Sequence, residues 1–135
     1  MTFDDELTTP PLQGLLTDLT ALDISGNNLA QTLPTELGSL TEMAGYAKFY
    51  SNSFSGTLPS ELGRWSKLRN SFHFYANRLT GTVPVELFAG LAELRSGFSL
   101  YSNSLAGTLP SEFGSLAKLT AWVSIHSNSF VGTLP

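Results

Sequence analysis

Histidine and carboxylate are the side chains of this sequence best suited to acid–base or metal chemistry. The two histidines, His73 and His126, have no further ligand at metal spacing. None of the 135 residues is cysteine, which excludes thiolate ligands, disulfides and cysteine nucleophiles together. Carboxylates recur as Glu36, Glu61, Glu86 and Glu112. A glycoside hydrolase needs two of them facing one substrate. A spacing this regular instead lays them in a row on one surface, at helix starts where the dipole favours negative charge. No G-x-S-x-G, phosphate loop or G-x-G-x-x-G occurs. The sequence predicts no catalytic residue, no metal and no cofactor.

A second set of side chains has the chemistry of recognition. Tyr50, Tyr75 and Tyr101 recur at intervals of 25 and 26 residues, and His126 follows after 25 more. Tyrosine offers a rigid ring and a hydroxyl, which suit protein surfaces and sugar rings alike. Such residues act together only if the chain returns to one place in every interval.

The sequence says that it does. SNSLAGTLP at 102–110 stands also as GNNLAQTLP at 26–34, SNSFSGTLP at 51–59, ANRLTGTVP at 76–84 and SNSFVGTLP at 127–135. Its asparagine falls at Asn27, Asn52, Asn77, Asn103 and Asn128, a solenoid period of 25 or 26 residues. Five and three residues before each asparagine stand apolar pairs: Leu22 and Ile24, Ala47 and Phe49, Phe72 and Phe74, Phe98 and Leu100, Val123 and Ile125. That alternation predicts strands with one buried face. Leu37, Leu62, Leu87 and Phe113 follow the proline and predict a short helical or 3-10 turn on the convex side. No unit buries its apolar residues alone, so stacking must join the strands into one parallel sheet. Each asparagine sits in the bend after its strand, where its amide can satisfy unpaired backbone groups. Gly56, Gly81, Gly107 and Gly132 give the bend backbone freedom, and Gln31 replaces glycine in the first repeat.

LTALDISGNNL at 19–29 fits the pattern LxxLxLxxNxL, and N-x-L-x-G-x-L-P-x-x-L-G-x-L continues it. The chain thereby resembles the leucine-rich-repeat family. It is most similar to the plant-type subclass of receptor-like kinase ectodomains and polygalacturonase-inhibiting proteins. The resemblance covers about residues 7–135 and implies an α/β solenoid with a short parallel sheet on its concave face. One domain is expected over 1–135, with a partial leading repeat over 1–18. Strands are expected near 20–25, 46–50, 71–75, 97–101 and 122–126. Repeats here run one residue longer than is usual in the subclass, and LFAGL at 87–91 adds another. The stretch TPPLQGLL at 9–16 reads as half a repeat, so the array reads as cut from a longer one.

Alternation along each strand sends the residues between the buried ones outward. The concave face is then expected to carry Tyr46, Lys48, Tyr50, His73, Tyr75, Ser99, Tyr101, Trp122 and His126 as its ligand-binding surface, with the five asparagines structural. The expected function is non-catalytic recognition of a protein or peptide on that face. The alternative is a glycan-binding or hydrolase-inhibiting module. A more remote one is ice or surface binding through Thr32, Thr57, Thr82, Thr108 and Thr133, one threonine per repeat. Net charge is −4 with no basic run, which argues against nucleic acid as a partner. No apolar run reaches the length of about 18 that spans a membrane. Family resemblance implies an extracellular or cell-surface setting, although MTFDDELTTPP does not read as a secretory signal. Val123, Ile125, Phe130 and Leu134 have no successor to cover them, which predicts end-to-end self-association.

Overall fold

The computed structural model describes residues 16–135. Most of the expected leading half-repeat lies outside the described residues. From Leu22 onward the chain winds through five turns of a solenoid. The strands β1 (Leu22–Asp23), β2 (Tyr46–Lys48), β4 (Ser71–His73), β6 (Gly97–Ser99) and β8 (Trp122–Ser124) form one parallel sheet in that order. Register pairs equivalent positions, such as Ala47 with Phe72 and Phe72 with Phe98. The strands are shorter than their sequence pattern, but the ladder continues beyond them. Phe49 N donates to His73 O at 2.8 Å, and Ser51 N donates to Tyr75 O at 3.1 Å.

The structure has two sheets where the sequence predicted one. The second comprises β3 (Ser55–Thr57), β5 (Arg78–Gly81), β7 (Ser104–Gly107) and β9 (Ser129–Phe130), again all parallel. Its cause lies in the repeated phrase, which alternates inward and outward after the asparagine. Phe54 and Leu58, then Leu79 and Val83, are buried, while Thr57 and Thr80 are exposed. A period of two over so few residues is a strand signal, masked here by the glycine between the apolar positions.

The convex side carries 3-10 turns at Thr35–Ser39, Ser60–Arg64 and Ser111–Ser115, each preceded by the repeat's proline. Leu37 and Leu62 point inward from them and are fully buried. The Trp65 indole reaches back one repeat and donates to Leu37 O at 2.9 Å. The extra residue in LFAGL converts the corresponding turn into an α-helix, Val85–Gly90. That helix runs so close to its neighbour that a Cβ on Gly90 would lie 1.8 Å from Gly63 O.

Asn27 bonds only the carbonyls of its own bend, at Ile24 and Ser25, whereas each later asparagine joins two repeats. Asn77 Nδ2 donates to Phe74 O at 3.1 Å and Tyr75 O at 3.3 Å in its own repeat, and to Phe49 O at 3.0 Å in the preceding one. Its Oδ1 accepts from Phe54 N of the preceding repeat at 3.0 Å. Asn52, Asn103 and Asn128 repeat the pattern, taking the amides of Leu29, Leu79 and Leu105. The residue just before each is turned into the left-handed region. Ser51, Ala76 and Ser102 have φ of 54°, Ser127 has 55° and Gly26 has 65°. For a non-glycine residue that geometry costs about 1–2 kcal/mol, and no residue type marks it in advance.

Removing the Asn77 amide takes one hydrogen bond from each of its three carbonyl partners and one from Phe54 N. Asn77→Ala is expected to cost about 1–3 kcal/mol in urea unfolding. Asn77→Asp is expected to do no better, because a carboxylate oxygen would face the three carbonyls that Nδ2 now serves. An Asp variant with the wild-type midpoint would show that the donor side of the amide is dispensable.

Candidate functional site

The concave sheet presents three outward columns. In the first, Tyr50, Tyr75 and Tyr101 stack with ring centroids 4.4 Å apart and interplanar angles of 9° and 10°. His126 continues the stack at 4.8 Å from Tyr101. A matching stack lies inside, where Phe49 and Phe74 are parallel at 4.5 Å. Both follow from strand spacing, since parallel strands in register set equivalent side chains about 4.8 Å apart. The tyrosine faces are therefore used on one another, and each ring turns its edge and hydroxyl toward the groove. Burial, then the neighbouring Tyr50 and Tyr101, push the Tyr75 hydroxyl up to about 12.

The middle column runs Asp23, Lys48, His73, Ser99, Ser124. Lys48 Nζ lies 3.5 Å from Asp23 Oδ2 and 4.6 Å from the Tyr46 ring centroid. Asp23 is held below its ordinary value, chiefly by the Ser25 hydroxyl, which donates to its Oδ1 at 2.5 Å. His73 is also held below its ordinary value, first by burial and then by the Lys48 charge. Ser99 points outward by register yet is completely buried.

The third column lies beside it. It runs Ala21, Tyr46, Ser71, Gly97, Trp122. With no side chain on Gly97, the Trp122 indole lies over it: a Cβ there would be 2.9 Å from the indole Cζ2 and 3.1 Å from His73 Nε2. The indole and imidazole centroids are 5.0 Å apart. Trp122 itself stays 46% exposed. The structure thus gathers Trp122, Tyr75 and Tyr50 around the His73 imidazole, with Ser99 paired to His73 on the next strand and Tyr101 following Tyr75 in the stack. Tyr46 and Lys48 lie toward the other end with Asp23. The sequence pointed to every member except Gly97, whose role depends on what its absent side chain admits.

The remaining candidates lie elsewhere. Glu36, Glu61, Glu86 and Glu112 occupy the first turns of the convex helices. The five repeated threonines are exposed along the second sheet. The methyls of Thr32, Thr57, Thr82 and Thr108 rest against the next repeat's glycine, where a Cβ would lie 2.9–3.2 Å away. Among the described residues no group of three or more His, Asp or Glu is placed to hold a metal, and no helix is long and apolar enough to cross a membrane.

A family model described as Leucine Rich Repeat matches residues 18–40. Among solved structures, the ectodomain of the Arabidopsis thaliana receptor kinase GASSHO1/SCHENGEN3, in complex with Casparian strip integrity factor 2, superposes with a TM-score of 0.79 at 30% identity. The chain has the leucine-rich-repeat fold. Two further likenesses are instructive. The Arabidopsis receptor kinase HAESA, in complex with the peptide hormone IDA and the co-receptor SERK1, gives a TM-score of 0.72 at 28% identity. A plant ice-binding protein gives 0.73 at 27%. These matches cover 94%, 90% and 90% of this chain. The chain spans only 15%, 19% and 38% of the respective partners. Comparison with curated proteins gives no significant match.

In this leucine-rich repeat the tyrosine ladder has a measurable signature. A phenol whose folded pKa is raised stabilises the fold fully below its unfolded value, about 10, and loses that contribution as pH rises through the folded value. For Tyr75 the window runs from pH 10 to about 12. The urea midpoint of the wild type is expected to fall more steeply across this window than that of Tyr75→Phe, which keeps the stack and cannot ionise. Identical slopes would mean that the hydroxyl does not sense its neighbours.

Proposed function

We propose that the chain is a non-catalytic recognition module that binds a protein or peptide on its concave face. One observation carries this reading. The concave sheet sets aromatic edges, hydroxyls, a lysine and two histidines in register, at positions where core packing requires none of them. A surface whose side chains are already stacked loses little freedom on binding, which favours affinity. The likeness to receptor ectodomains in complex with such ligands supports the same assignment.

The experiment selects binders from a phage-displayed peptide library on the immobilised chain. Interface energy concentrates in a few central residues worth about 2 kcal/mol or more each. Because the ring faces are occupied, the hydroxyl of Tyr75 is the group on offer. Tyr75→Phe is expected to weaken the selected peptides about 30-fold with the melting temperature unchanged. Glu86→Ser on the convex side is expected to leave affinity as it is. Peptides that respond to Glu86 and ignore Tyr75 would move the interface off the concave face.

A second reading is favoured by the threonine column. Threonine is stiff at χ1, and a methyl seated on the next repeat's glycine fixes it further. The result is a row of ordered hydroxyls and methyls repeating at strand spacing. Together with the likeness to a plant ice-binding protein, this supports adsorption of the second sheet to ice. Shaping of a growing ice crystal by the wild-type chain, abolished by Thr82→Lys, is the expected result. Unshaped crystals with the wild type would remove this reading.

A further inference from the structure

The cluster around Trp122 contains two polar atoms whose placement the fold does not require. His73 Nε2 and Ser99 Oγ are both buried and have no hydrogen-bond partner among the described residues. A polar atom enclosed in this way is costly, and any group that reaches it with a hydrogen bond recovers that cost. Ser99 is fully buried although its strand position faces the groove, and two residues before it on the same strand the half-exposed Trp122 indole lies across Gly97 toward His73.

We propose that the Trp122 indole is the displaceable roof of a sugar-binding slot, in which an uncharged pyranose stacks on the indole and its hydroxyls bond His73 Nε2 and Ser99 Oγ. Three features select this ligand. A sugar hydroxyl both donates and accepts, so it satisfies the serine and either tautomer of the imidazole. The apolar face of the ring matches the flat indole, which combines a large apolar surface with a polar edge. The floor carries no free cation: Lys48, the nearest, is paired with Asp23, and burial holds His73 toward its neutral form. An anionic sugar has no counter-charge here. Gly97 gives the slot its depth, since any side chain there would meet both the indole and the imidazole. The proposal is independent of peptide recognition, because the slot lies beside the tyrosine stack and does not use its hydroxyls.

The test uses intrinsic fluorescence of the whole chain. It has two tryptophans, and Trp65 is fully buried in the core, so a ligand-induced change reports Trp122. Cellohexaose, xylohexaose, laminarihexaose and chitohexaose are titrated in turn. At least one is expected to shift the emission saturably, with a dissociation constant of about 1 mM or tighter, in the range of a weak specific complex. Ser99→Ala, which removes one bond and little volume, is expected to weaken that sugar about tenfold. Trp122→Phe, followed by calorimetry, is expected to weaken it further. Tyr75→Phe is expected to leave it unchanged, which separates this site from the peptide surface. Silence with all four sugars from a folded wild-type chain would overturn the proposal. So would a Ser99→Ala chain that binds as the wild type does.

Discussion

One side-chain amide, repeated once per turn, holds the solenoid together. From Asn52 onward each asparagine donates to carbonyls of its own bend and of the one before it, and accepts an amide from that preceding repeat. Backbone groups inside a bend are buried and must be paired. The strand ladder supplies some of that pairing, as from Ser51 N to Tyr75 O, and the asparagine amides add to it where the chain leaves one sheet for the other. An amide has two donors and an acceptor on one short stem, where a hydroxyl has a single donor and a carboxylate none. The left-handed residues before each asparagine are part of the same arrangement. Their strain is tolerated because the hydrogen bonds on either side leave that bend no alternative.

From this register everything on the concave face follows. Core phenylalanines and groove tyrosines form parallel stacks on opposite sides of the same strands because both inherit the strand spacing. The outer stack makes the groove stiff, and it also decides what the groove can show. Tyrosines standing alone would offer their faces to a partner. Tyrosines in a stack offer edges and hydroxyls, so recognition along this column is directional and hydrogen-bonded. Trp122 and Tyr46, in the column across the groove, are the aromatic rings that remain substantially exposed.

Much of this was legible in the sequence, and the exceptions share a cause. The period, the inward pairs, the tyrosine register and the role of asparagine follow from side-chain types at fixed spacing. The family model and the solved relatives agree with the resemblance carried by LTALDISGNNL. What escaped depends on contacts between repeats that a single unit does not encode. The second sheet was hidden because glycine occupies the middle of its alternation. Ser99 was assigned to the open face because its strand position points there. On its own strand Gly97 lets Trp122, one repeat on, lean across toward His73. The left-handed serines and alanine carry no compositional mark, since glycine, the usual occupant, stands only at Gly26.

The two margins of the solenoid differ in how they take a change of length. On the outer margin the inserted residue of LFAGL is absorbed within one turn: a 3-10 segment relaxes into a helix, and the next strand still arrives in register. The helix is accommodated by close passages of Gly90 over Gly63 and of Glu86 over Gly63. A residue inserted on the inner margin, between a strand and its asparagine, would exchange the inward and outward sides of that strand. A phenylalanine would then face the groove and a tyrosine the core. Insertions and deletions that leave this protein folded are thus confined to its outer edge. On its inner edge, change must come as substitution, or as the gain and loss of whole repeats.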